Sequence, residues 1–355
     1  MGALDKLFRL IDANINRAAE GLRVAEDITR FYFDNRELSE KLKKLRHDIR
    51  KCIMPYMHQC LGGRRAEEDV GLSVSRELKI DQKSRVYELV AANFKRAEEA
   101  LRVVEESLKP LCKYDMAKAY EGFRFSCYSL EKQCALLVCR QSKRSKLSAG
   151  LYCLTAEEYS NGRSNIQVAE AMINAGVKII QYREKDKKPA DKFSQCMKLR
   201  ELTAREGVTF IINDNVDMAL MVGADGVHIG QDDLPIEKVR ELAGQEMIIG
   251  LSTHSPAQAQ DAVRRGADYI GVGPIYKTFT KKDVCAPVGL EYLQYAADNI
   301  DIPFVAIGGI KESNMHEVVL KGARCIAMVT EIVGAENIEE KIASINNKMR
   351  ECIRA

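Results

Sequence analysis

Apolar residues recur at helical spacing through the first half of the chain: Leu4, Phe8, Ile11 and Ile15, then Leu38, Leu42, Leu45 and Ile49. Steps of three and four put them on one face of a helix. Residues 1–147 carry almost no strand signal. From residue 149 the pattern changes to short β-rich runs: Gly150–Leu154, Val177–Tyr182, Thr209–Ile212, Gly226–Ile229, Met247–Leu251, Tyr269–Val272, Phe304–Ile307 and Cys325–Val329. Amphipathic segments follow each run, from Gln167–Ala175 to Ile338–Ile353. Eight strand–helix units in about 200 residues fit a compact (β/α)8 TIM barrel with a parallel sheet. A doubly wound sheet is the runner-up, but its first turn needs G-x-G-x-x-G, and Gly150-Leu151-Tyr152 offers none. The expected architecture is therefore α/β: an all-α helical-bundle domain over residues 1–147, then a (β/α)8 barrel over residues 148–355.

The helical half contains an internal repeat. Asn14, Arg17, Glu20, Leu22, Arg23, Val24 and Glu26 return 79 positions later as Asn93, Arg96, Glu99, Leu101, Arg102, Val103 and Glu105. Leu45-Arg46 returns as Phe123-Arg124. A helical hairpin used twice makes a four-helix bundle. The favoured reading of the repeated polar residues is a network of ion pairs fixing helix register. The competing reading is a polar pocket between the hairpins, closed by a loop bearing Arg64, Arg65 and Asp69.

Composition excludes several classes. Hydrophobic residues at 46% and charged residues at 30% describe an ordinary globular chain. No apolar run approaches the roughly 20 residues that span a bilayer, so no membrane partner is expected. The net charge is +3, split as 30 basic and 22 acidic residues before position 148 and 24 and 29 after it. The basic run Arg140, Lys143, Arg144, Lys146 is short and lacks interleaved aromatics, so it reads as a solvated linker and helix end and not a nucleic-acid patch. Eleven cysteines without a C-x-x-C pair read as free thiols of a cytoplasmic protein.

Barrel chemistry sits on the loops after the strands. Reading those positions gives Gln181-Tyr182-Arg183-Glu184-Lys185, Asn213-Asp214, Gly230 to Asp233, Ser252-Thr253-His254, Thr278 to Lys281, Gly308-Gly309 and Val329-Thr330. Each cluster alone is an ordinary charged turn, cap or loop; their joint placement is not. Arg183, Lys185 and Lys281, with the hydroxyls of Ser252, Thr278 and Thr280, suit a diphosphate. Asp214 and Asp233 suit Mg²⁺, which takes one or two carboxylates plus substrate oxygens. Gly308-Gly309 and Val329-Thr330 suit a second, backbone-lined phosphate site. Two anion sites imply transfer between two phosphorylated small molecules. His228, in an apolar strand, reads as a satisfied core histidine.

Gln-x-Arg-Glu-Lys, Ile-Asn-Asp, Gly-Val-His-Ile-Gly-Gln-Asp-Asp-Leu, Gly-x-Ser-Thr-His, Gly-Pro-Ile-x-x-Thr-x-Thr-Lys and Ala-Ile-Gly-Gly-Ile together resemble thiamine-phosphate synthase, from about residue 150 onward. The first half resembles the helical domain fused to some synthases and pyrimidine kinases of thiamine biosynthesis. The resemblance implies a transferase joining 4-amino-5-hydroxymethyl-2-methylpyrimidine diphosphate to a thiazole phosphate, releasing thiamine phosphate and pyrophosphate. It implies Gln181, Arg183, Lys185, Asn213, Ser252 and Lys281 as pyrimidine-diphosphate ligands, with Arg183, Lys185, Ser252 and Lys281 catalytic. It implies Asp214 and Asp233 as Mg²⁺ ligands, and Thr278, Thr280, Gly308, Val329 and Thr330 as thiazole-phosphate positions. One departure is Val329-Thr330, where the family usually has Val-Ser; the hydroxyl survives. The alternatives are a thiazole tautomerase of the same fold and a catalytically silent phosphate-binding regulator. The bundle is read as dispensable for the chemistry, as a docking or dimerisation module, so that a homo-oligomer is allowed. A chain starting near Lys146 is expected to retain activity.

Overall fold

The computed structural model describes residues 2–64, 83, 85–148, 150–280 and 285–354. Arg65, Asp69 and Lys281 lie outside the described residues. The chain divides into two compact units, Met1–Cys139 and Arg140–Ala355.

The first unit is helical among its described residues: α1 (Ala3–Asp27), α2 (Arg36–Ile53), α3 (Met57–Gly63), α4 (Val86–Leu108) and α5 (Tyr114–Leu147), the last continuing into the second unit. Buried Ala18, Ala25, Ala97 and Ala100 keep α1 and α4 thin where they pack together. A Cβ on Gly21 would lie 2.6 Å from the Asn93 carbonyl oxygen, so only glycine permits this approach. The Tyr120 hydroxyl donates to the Ile49 carbonyl at 2.8 Å and fastens α5 to α2. The repeat is visible in the contacts: Arg46 pairs with buried Glu26 at 2.9 Å, and Arg124 with buried Glu105 at 3.1 Å.

The second unit is the expected closed barrel. Its strands are β1 (Leu151–Leu154), β2 (Ile179–Tyr182), β3 (Thr209–Asn213), β4 (Gly226–Ile229), β5 (Ile248–Thr253), β6 (Tyr269–Val272), β7 (Phe304–Ile307) and β8 (Ile326–Met328). All neighbours are parallel, and β8 closes on β1 with Leu151 opposite Ile326. Side chains alternate between two cores, as the two-residue strand period demands. Leu151, Cys153, Ile180, Tyr182 and Phe210 face the surrounding helices. Tyr152, Leu154, Ile179, Ile211 and Tyr269 fill the barrel interior.

The basic run is the expected helix end, closing α5, but it is not a solvated linker. Lys143 is only 6% exposed and lies 3.0 Å from Asp268. Lys146 reaches Asp225 at 2.5 Å, and its carbonyl accepts from the Thr209 hydroxyl. Leu147 is buried against the barrel interior. Asp225 and Asp268 immediately precede β4 and β6, where each also accepts a strand N–H, from Phe210 and Ile249. Burial would raise the Asp225 pKa, but these hydrogen bonds and the neighbouring cations leave it below the ordinary value. The last two turns of α5 thus stopper the strand N-terminal end. The recurring Gly-Ala-Asp before both strands was the available sequence signal; its cationic partners, 79 and 125 positions away, were not.

Candidate active site

The opposite end of the barrel gathers most of the expected residues. At the end of β2, Gln181 points inward and is 3% exposed, with its Nε2 2.9 Å from the Tyr152 hydroxyl. The Arg183 N–H donates to the Thr155 hydroxyl at 3.2 Å. Lys185 is exposed and 3.7 Å from Asp214. Glu184, between these cations, accepts from the Glu157 N–H and the Asn165 amide, tying the β1 and β2 loops together. The charged turn therefore has a fixed acidic hinge that presents its two basic neighbours.

Asn213 ends β3, and Asp214 follows in left-handed backbone at φ +61°. The Asp214 N–H donates to the His228 carbonyl at 2.8 Å, which holds this unusual conformation. After β4, Asp233 accepts from the Gly230 N–H at 2.6 Å. Burial first, and the charge of Asp233 second, push the Asp214 carboxyl above its ordinary range, against the pull of Lys185 and Arg183. Half-buried Asp214 beside exposed Asp233 offers oxygen ligands to a hard cation, whose charge would relieve the repulsion between them. Among the described residues, no cluster adds a third His, Cys, Asp or Glu to them.

Ser252 lies at the end of β5. Its hydroxyl is 2.9 Å from His228 Nε2, and its carbonyl accepts from the Gln231 amide at 2.6 Å. Thr278 and Thr280, after β6, stand with their hydroxyls 3.3 Å apart beside exposed Phe279. Gly308 and Gly309 both have positive φ, at +100° and +66°. A Cβ on Gly308 would lie 2.4 Å from Pro274 Cα, and one on Gly309 would lie 2.6 Å from the Lys277 carbonyl. These glycines let the β7 loop pack onto the β6 loop. Val329 is half-buried, and Thr330 opens a short helical turn, Thr330–Val333.

Sequence reasoning missed two interior groups, Tyr152 and Tyr269. His228 is a satisfied interior histidine, as expected, its ring nitrogens partnered by Tyr269 and Ser252. Tyr152 and Tyr269 complete a polar path to Gln181. Their inward register was readable from the strand alternation; their mutual contact, across strands far apart in sequence, was not.

The helical unit holds a separate cleft of about 570 Å³ lined by Asn14, Arg17, Glu20, Asn93, Arg96 and Glu99. The favoured ion-pair reading holds for Arg23 with Glu26 and Arg102 with Glu105, each joined across helices by Arg46 or Arg124. Asn14, Arg17 and Glu20 and their counterparts in the second copy face a cavity, because α1 and α4 bring corresponding residues of the two copies together. Asn14 and Asn93 are held alike, donating to the carbonyls of Leu10 and Leu89 at 2.8 Å. Arg64 makes a two-pronged pair with Asp12, at 2.8 Å for each prong, and does not close the cleft.

No helix among the described residues is long and apolar enough to cross a membrane. The thiamine monophosphate synthase family model matches residues 151–332, and the ThiD2 family model matches residues 9–133. A thiamine-phosphate synthase of Pelotomaculum thermopropionicum is 61% identical over 209 residues, 59% of this chain and 96% of that protein. A thiamine-phosphate synthase of Synechocystis is 40% identical over 340 residues, 95% of this chain and 94% of that protein. The solved thiamine phosphate pyrophosphorylase of Pyrococcus furiosus superposes with a TM-score of 0.54 at 33% identity, covering 59% of this chain and 98% of that one. Family model, two-unit relative and barrel superposition agree, and the chain belongs to the thiamine monophosphate synthase family.

Proposed function

We propose that the barrel mouth joins 4-amino-5-hydroxymethyl-2-methylpyrimidine diphosphate to a thiazole phosphate, forming thiamine phosphate and releasing pyrophosphate. The observation that carries the residue assignment is the meeting of Lys185, Asp214 and Asp233 at one rim. Cations and a repelling acid pair side by side suit a diphosphate bridged by a divalent ion better than either charge alone. Asp214 and Asp233 would hold Mg²⁺, which when bound neutralises diphosphate charge. Arg183 and Lys185, with Lys281, take the remaining negative charge as the bond between the pyrimidine methylene carbon and the diphosphate oxygen breaks. The electron pair leaves with the diphosphate. The electron-rich aminopyrimidine holds the positive charge on its methylene carbon until the thiazole nitrogen lone pair closes the new C–N bond. No general base is required, because the attacking nitrogen carries no proton.

Gln181, Asn213 and Ser252 orient the pyrimidine. Thr278, Thr280, Gly308, Val329 and Thr330 receive the thiazole phosphate, fixing the nucleophile near the carbon it attacks. Incubating the full chain with both substrates and Mg²⁺ should release pyrophosphate and thiamine phosphate in equal amounts. Absence of either product, with each substrate shown to bind, refutes the assignment.

A further inference from the structure

Five side chains form an unbroken hydrogen-bonded chain across the barrel interior. Gln181 Nε2 lies 2.9 Å from the Tyr152 hydroxyl, which lies 2.8 Å from the Tyr269 hydroxyl. Tyr269 lies 2.9 Å from His228 Nδ1, and His228 Nε2 lies 2.9 Å from Ser252 Oγ. The two ends belong to different strands, β2 and β5; Gln181 is buried and Ser252 half-buried, both in the C-terminal half of their strands.

Each link holds one hydrogen, so the direction of one link fixes all the others. An amide nitrogen only donates. Tyr152 therefore accepts from Gln181 and donates to Tyr269, which donates to His228 Nδ1. A neutral imidazole then carries its hydrogen on Nε2 and gives it to Ser252. At the ends, Gln181 is left presenting its carbonyl oxygen, and Ser252 is left with its hydroxyl hydrogen. Turning the Gln181 amide around would reverse all four links and exchange these roles. Burial raises both tyrosines above the ordinary phenol range, which keeps their hydrogens in place.

The glycine at position 250 supports a built arrangement. A Cβ there would lie 2.1 Å from Tyr269 Cζ and 2.5 Å from His228 Nδ1, at the middle of the chain.

We propose that Tyr152, Tyr269 and His228 are positioning residues that fix the hydrogen-bond polarity of Gln181 and Ser252 and thereby select the 4-substituent of the pyrimidine ring. The proposal rests on the reading that Gln181 and Ser252 hold that ring. A 4-amino group donates and its neighbouring ring nitrogen accepts; a 4-oxo ring has both reversed. The wrong ring can be matched only by reversing the whole chain, or by leaving buried groups unpaired.

The test compares kcat/KM for the 4-amino and 4-oxo pyrimidine diphosphates in the full chain, in Tyr269→Phe and in Tyr152→Phe. Either substitution cuts the chain, so each half can turn independently. The native protein should prefer the 4-amino substrate by at least about a hundredfold, and the preference should shrink at least about tenfold in each variant. A merely structural role would lower both values equally and leave the ratio unchanged, which overturns the proposal. ¹⁵N NMR of native His228 gives a readout independent of variant folding. Hydrogen on Nε2 is expected; hydrogen on Nδ1 overturns the polarity. Gln181→Ala and Ser252→Ala separate the two readings. If neither raises the pyrimidine-diphosphate KM, the underlying assignment fails and the proposal falls with it. If they raise it while the Tyr variants keep full discrimination, the proposal alone fails.

Discussion

Replacing Asp214 with Asn should stabilise the metal-free protein while removing its activity. The carboxyl is raised above its ordinary range, chiefly by burial and then by Asp233. A carboxyl with a raised folded pKa binds more protons in the native than in the unfolded state. Its contribution to stability is present below the unfolded value of about 3.9 and is lost as pH rises through the folded value. At neutral pH the native protein carries that penalty, and the neutral amide of the Asn variant removes it. The pair with Lys185, 3.7 Å away and half exposed, offsets little. Asn also suits the backbone, since φ is +61° and Asn tolerates left-handed conformations. Asp214→Ala lacks that tolerance, at a cost of about 1–2 kcal/mol. For a unit of this size, the Asn variant should melt roughly 2–8 °C above the Ala variant. Both should lose on the order of a hundredfold or more in turnover. Thermal unfolding followed by circular dichroism in EDTA, between about pH 4 and 8, checks the ranking, and pyrophosphate release checks activity. An Asn variant less stable than the native protein at neutral pH, or a gap independent of pH, would refute the like-charge account. Near-normal activity in EDTA would refute the metal assignment.

Three further outcomes follow from the geometry. A chain beginning at Arg140 should fold and make thiamine phosphate, whereas one beginning at Ser148 should be less stable by about 2–4 kcal/mol in urea denaturation. The shorter chain loses Leu147 burial and the ion pairs of Lys143 and Lys146; equal midpoints would show that the stopper contributes nothing. Gly308→Val should damage binding of both substrates, because its side chain meets Pro274 before any ligand; calorimetry showing loss confined to thiazole phosphate would contradict this. Thr330→Val, which keeps the volume and drops the hydroxyl, should raise the thiazole-phosphate KM about threefold to tenfold and leave the pyrimidine-diphosphate KM unchanged.

The barrel was legible in the sequence because its strands are short β-branched runs between turn residues, each fixed by local pattern. Thr209–Asn213 and Gly226–Ile229 fall within one residue of the expected runs. The rim residues were legible for the same reason: a strand end locates whatever follows it. Contacts that depend on closure were not. Tyr152 and Tyr269 are 117 positions apart, and Lys143 and Asp268 are 125 apart; no periodicity reports such pairs. The left-handed turn at Asp214 also has no marker, since aspartate occupies ordinary backbone far more often. In the helical unit the repeat offered both an ion-pair network and a polar pocket between the hairpins, and the sequence alone could not say that different members of the repeat serve each.

The stopper at the lower end of the barrel has a kinetic consequence. With Leu147, Tyr152, Ile179 and Tyr269 packed across the interior, the barrel has a floor. Two substrates and two products must use one doorway, and what sits deeper arrives first and departs last. Gln181, at 3% exposure, lies deeper than exposed Thr330, so under the proposed assignment of these residues the pyrimidine partner would head the queue. Steady-state kinetics should then be sequential, with thiamine phosphate competing against pyrimidine diphosphate but not against thiazole phosphate.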